Sequence, residues 1–221
     1  MMDVIFEQMA GATARHVDAI AELTEREKTF LRVVADVCQS ALGSGFERHL
    51  RAGHDHGVST SDVRALLRFI SYDSGYHAAA AGLERLVEFE HRHGIVPDEV
   101  EPLDEGLLVV GESPLPAAAR EELKKLDGHF LEHFDLQSRM RSGHGPGTLT
   151  ERERGFASLS VDVHYQTLGE TFRTHIGRAL RGGASREDVR AALRFNAQFG
   201  VTRAWRAWEA FNDCLAELPA Q

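Results

Sequence analysis

Two histidines sit in the same short phrase at two places in this chain. "FERH" ends at His49 and "FRTH" ends at His175, each soon after a Leu-Gly pair, Leu42-Gly43 or Leu168-Gly169. An imidazole is the side chain whose unperturbed pKa, about 6.5, suits it to take and return a proton near neutrality. His49 and His175 are therefore the first candidates for general acid/base work. Other polar residues differ between the two neighbourhoods. One carries Tyr72, Asp73 and His77 where the other has Gln198, Phe199 and Arg203, and the second carries His164 and Tyr165 where the first has Cys38 and Gln39. Tyr72, His77, His164, Tyr165, Asn196 and Arg203 are thus candidate substrate-binding residues. Arg203 or Arg173 offers the forked guanidinium that pairs well with a carboxylate.

The phrases recur because a longer segment recurs. A shift of 126 residues aligns Leu23 with Leu149 and runs without a gap to Leu86 and Asn212, with about a third of the pairs identical. "LTEREKTF" and "LTERERGF" both open with T-x-x-E (Thr24 to Glu27, Thr150 to Glu153), in which Thr and Glu cap each other's backbone N–H groups at a helix start. Ser59 to Asp62 and Ser185 to Asp188 give a second start in each copy, after Gly57 and Gly183. "DVRALLRF" and "DVRAALRF" then place apolar residues at helical spacing. Each copy reads as a helix (24–41), a Gly-containing break (42–45), a helix (46–54) and one long helix (59–90), repeated over 150–215. A leading helix before residue 23 and a linking section with one helix (115–140) complete an all-α architecture. Only "GLLVVG" at 106–111 reads as a short extended run.

These motifs, in this order and in tandem, resemble the carboxymuconolactone decarboxylase and alkylhydroperoxidase D-like family over two segments of about 64 residues each. The resemblance implies a first repeat with its leading helix over 1–94, a linker and helix over 95–147, and a second repeat over 148–221. In the peroxidase-like branch a redox CxxC precedes the histidine. Here those positions hold Leu42 and Gly45, and Leu168 and Thr171, so disulfide-linked peroxide reduction has no thiol pair to run on. The decarboxylase-like branch implies proton transfer coupled to decarboxylation or isomerisation of a small or medium organic acid or lactone. That chemistry needs no metal or organic cofactor, and such scaffolds suit secondary metabolism. It also implies self-association as a homotrimer with six repeats.

Composition narrows the alternatives. The chain has 221 residues, 43% of them hydrophobic, enough for a substantial core. The formal charge of −9, and acids interleaved among the arginines of 173–190, argue against a nucleic-acid partner. No run of 18 apolar residues suggests a membrane span, and the acidic start does not read as a secretion signal, so a cytoplasmic location is expected. Twelve histidines raise a second chemistry. His129 and His133, four apart on one helix face, could hold a divalent metal if Asp127, Asp135 or His144 converged on them. A third reading is a catalytically silent ligand-binding or assembly protein on the same scaffold.

Overall fold

In the computed structural model, which describes residues 3–109, 112–143, 145 and 147–217, the described residues form eleven α-helices and no strand. After α1 (Val4–Asp18), the first half runs α2 (Glu25–Cys38), α3 (Ser44–Asp55), α4 (Thr60–Ser74) and α5 (Tyr76–His93). A linking section carries α6 (Ala117–Leu126) and α7 (Gly128–Gly143). The second half runs α8 (Glu151–Tyr165), α9 (Glu170–Arg181), α10 (Arg186–Asn196) and α11 (Val201–Glu217). All four capping boxes form: Thr24 with Glu27, Ser59 with Asp62, Thr150 with Glu153 and Ser185 with Asp188.

The cap carboxylates have a second task. Arg26 gives its Nε to Glu153 at 2.7 Å and Nη1 to Asp62 at 2.7 Å, while Arg152 gives its Nε to Glu27 at 2.6 Å and Nη1 to Asp188 at 2.6 Å. The remaining guanidinium nitrogens reach the carbonyls of Thr148 and Glu22, both at 3.0 Å. Each arginine thus joins the helix starts of both halves, and the pairs are related by the same 126-residue shift. Apolar side chains are exchanged likewise. Leu23 and Leu31 enter the core of the second half, with Phe156, Phe172, Phe195 and Phe211, whereas Leu149 and Ala157 enter that of the first, with Phe30, Phe46 and Phe69. Where α2 meets α3, Thr29 fills the space over Gly53. At the matching place Gly155 lies so close to the Ala179 backbone that an added Cβ would sit 2.5 Å from its nitrogen. The bulk has changed sides, and the close approach of the helices is kept.

Four expectations change. The long helix of 59–90 is two helices, because Gly75 takes φ +89°, and the second half breaks similarly at Gly200, φ +156°. A side chain would be strained at either φ. The single linking helix is also two, parted at Asp127, whose carboxylate caps the Phe130 N–H at 2.7 Å. The leading helix ends at Asp18, with Ile20 and Leu23 beyond it packed into the second-half core. The described part of "GLLVVG" is a 3-10 turn, Glu105–Leu108, started by Asp104 bonding the Gly106 N–H at 2.7 Å; Val110 and Gly111 lie outside the described residues. No helix among the described residues is long and apolar enough to cross a membrane.

The buried exchange predicts strong coupling. Arg152→Met leaves Glu27, only 4% exposed, without its partner and should cost about 2–4 kcal/mol in urea unfolding. Adding Glu27→Gln should recover part of that loss. Burial pushes the Asp62 carboxyl up, but hydrogen bonds from Arg26, Thr148 and Ser59 outweigh it and hold the group at about 2. Its contribution is present above the unfolded pKa near 4 and is lost as pH falls through about 2. Asp62→Asn should flatten acid unfolding over that range by roughly 1–2 kcal/mol.

Candidate active site

Each helical histidine meets an aspartate from the preceding long helix. His49 Nδ1, on α3, lies 2.6 Å from Asp36 Oδ2 on α2, and His175 Nδ1, on α9, lies 2.6 Å from Asp162 Oδ2 on α8. An aspartate on Nδ1 fixes the ring's orientation and favours the tautomer with a bare Nε2, the arrangement of a general base. Asp36 and Asp162 are 13 residues before their histidines and stand in the same "D-V" pair. That repeated pair was the available signal.

The two dyads are not equal. The His49 side chain keeps 27% of its surface in solvent, and its Nε2 has no hydrogen bond among the described residues. His175 is buried, with 8% of its side chain exposed, and the second oxygen of Asp162 accepts from Thr167 Oγ1 at 2.6 Å. Burial pushes the Asp36 carboxyl up, with His49 opposing it. Of the two rings, that of His49 is the more open to solvent.

A second polar cluster forms where the ends of α2 and α8 meet. Gln39 Nε2 lies 3.4 Å from His164 Nδ1 and 3.4 Å from the Phe199 carbonyl, and the Cys38 thiol lies against the Tyr165 hydroxyl, which donates to the Ser74 carbonyl at 3.1 Å. Burial pushes the Cys38 thiol up to about 12 and the Tyr165 phenol also to about 12. Burial, helped by the Arg203 charge, brings His164 down to about 4, and its buried Nε2 has no hydrogen-bond partner among the described residues. Asn196 accepts from Ser160 Oγ at 2.7 Å and donates to the Ala192 carbonyl at 2.9 Å, so both ends of its amide are occupied inside the second half. Arg203 donates to the Phe199 carbonyl at 3.1 Å.

The other candidates lie apart. Tyr72 bonds Ser138 Oγ of α7 at 3.2 Å and faces a cavity beneath that helix, whereas His77 is exposed in the first turn of α5. His129 and His133 are both exposed, the first against Glu132 and the second against Gln137. Asp127 caps its helix, and Asp135 is held by Ser113 and Arg120, so neither converges on the pair. His144 lies outside the described residues, and no group of three metal-binding side chains occurs among those described.

Three cavities stand out among the described residues. One, of about 220 Å³, lies between α3 and α5 at Phe46, Leu50 and Phe89. Two adjoining ones, of about 240 and 400 Å³, lie beneath α7 and the segment around Leu103. None of the three is lined by His49 or His175.

His164 should leave a pH signature. Its lowered value means that the unfolded chain takes up a proton first, so stability is full above about 6.5 and is lost as pH falls through about 4. His164→Gln should reduce that slope by roughly one proton, measured as urea stability from pH 7 to 4.

Comparisons with known proteins bear on the fold. No protein-family model and no curated protein matches the sequence. Among solved structures, the chain is similar to a protein of Burkholderia xenovorans provisionally named a gamma-carboxymuconolactone decarboxylase subunit. The TM-score is 0.52 and the identity 18%, over 97% of this chain and 88% of that one. The chain therefore has the all-α, carboxymuconolactone decarboxylase-like fold.

Proposed function

We propose that this protein is a cofactor-free lyase or isomerase acting on a small or medium organic acid or lactone, with His49 as its general acid/base. The observation that carries the reading is the His49–Asp36 pair at 2.6 Å with the ring partly open to solvent. Asp36 holds Nδ1, and Nε2 takes a proton from carbon or oxygen of the substrate. The imidazolium returns that proton to the carbon left electron-rich by isomerisation or by departure of carbon dioxide, with Asp36 stabilising its charge. His175, with the same partner geometry but a buried ring, serves as the structural counterpart.

Thiol peroxidase chemistry has little support. The Cys38 thiol, pushed up to about 12, holds almost no thiolate at neutral pH. Self-association as a homotrimer of six repeats is supported by the apolar residues left exposed on α1, namely Val4, Ile5, Phe6 and Met9, and on α11, Val201 and Trp205. Mass in solution near three times 24.5 kDa is expected, and a stable monomer would rule the trimer out.

A second reading, a catalytically silent ligand-binding protein, is favoured by one observation: the three cavities lie away from both dyads. One experiment separates the two. The purified protein is incubated with γ-carboxymuconolactone and with a panel of small β-keto acids and lactones, and carbon dioxide release and isomer formation are followed. Turnover by the native chain that falls roughly 10²- to 10⁴-fold in His49→Gln, with folding intact, supports acid/base catalysis. Full activity in His49→Gln refutes the assignment, and no turnover across the panel favours the binding reading.

A further inference from the structure

Arg68 is the odd cation of this fold. The nearby arginines have anionic partners: Arg64 is held by Glu90, Arg141 by Asp73 and Ser158, Arg178 by Glu151, and Arg26 and Arg152 by the cap carboxylates. Arg68 is half-buried on α4, one turn after Arg64, and among the described residues it has neither an ion pair nor a side-chain hydrogen bond. Desolvation, together with the charge of Arg64, lowers its pKa. A guanidinium held partly out of water without an anion is unfavourable unless something else supplies one.

The surroundings indicate what that is. Arg68 and Leu103 line both cavities beneath α7, so the Arg68 side chain borders the two. The wall of the smaller is apolar and aromatic, with Leu67, Tyr76, Leu83 and Met140 beside Tyr72. The larger leads outward along the segment of Leu103 and Leu107, where its acidic groups, Glu101 and Asp104, are exposed; Asp104 is already used on the Gly106 N–H. Two arginines line the chamber of about 240 Å³: Arg141, already held by Asp73 and Ser158, and Arg68, whose five donors have no carboxylate among the described residues.

We propose that the chamber beneath α7 is a binding site for a monoanionic organic molecule with an apolar or aromatic body, its carboxylate gripped by Arg68 and its body lying against Leu67, Tyr76, Leu83 and Met140. The site is separate from the His49 dyad, so it stands whether or not that histidine is catalytic. Helix α7 and the Leu103 segment form its roof, which gives the linking section a role in selecting what enters.

The test uses 2-naphthoate as the anionic probe and 2-naphthamide as its neutral analogue, titrated into the full chain by calorimetry. Saturable one-to-one binding of 2-naphthoate, about tenfold or more tighter than that of the amide, is expected, because a charge-assisted pair is the difference. Arg68→Gln should abolish the preference and Arg68→Lys retain part of it. Leu83→Trp should weaken both probes by filling the chamber. His49→Gln should bind both as the native chain does. Helical circular dichroism and melting temperature identify any variant that fails to fold, in which case the naphthoate-to-naphthamide ratio of the native chain decides. The proposal is overturned if the native chain shows no saturable binding or no preference for the anion, or if folded Arg68→Gln keeps the preference.

Discussion

The reciprocal pairing of α2 with α8 is the constraint on which the other features depend. Arg26 and Arg152 each bind a cap carboxylate of their own half and one of the opposite half. The same four acids that start α2, α4, α8 and α10 therefore also fix how the halves meet. Burying these charges is costly alone, and the geometry offsets the cost by filling every guanidinium direction with a carboxylate or carbonyl. Once α2 and α8 cross at this place, Leu23 and Leu31 have only the opposite core to enter, and so do Leu149 and Ala157. The dyads follow from the same crossing, since Asp36 and Asp162 lie on these two helices.

That arrangement explains how two like halves reach unlike chemistry. The backbone frame is held by pairs that match across the 126-residue shift, while residues outside those pairs are free to diverge. At the ends of α2 and α8, Cys38 and Gln39 face His164 and Tyr165, and the result is one neutral cluster, buried at His164 and open to solvent at Gln39 and Tyr165, instead of two equal pockets. Around the histidines the frame is kept, but the His49 ring reaches solvent, whereas the His175 ring is enclosed and its aspartate is held further by Thr167.

Much of the frame was legible in the sequence because it is written in local chemistry. T-x-x-E and S-x-x-D announce helix starts whatever surrounds them, and all four formed. The breaks at Gly75 and Gly200 were missed because the apolar spacing continues across them, and only the positive φ reveals the turn. The histidines were found by their type and repetition. Their aspartates were not, because a partner 13 residues away on another helix is brought near by packing, which local patterns do not encode. The role of Arg68 was illegible for a related reason: in the sequence it is one arginine among many, and it stands out only after the others are seen to be paired.

One frame holds two histidines by the same bond and leaves one ring more open to solvent than the other. Long-range proton–nitrogen NMR of the imidazoles, recorded as pH is varied, tests it directly. Nδ1–H tautomers are expected at both His49 and His175, with the more exposed His49 ring exchanging its proton with water faster than the enclosed His175 ring. An Nε2–H tautomer at His49, or equal exchange at the two rings, would contradict it.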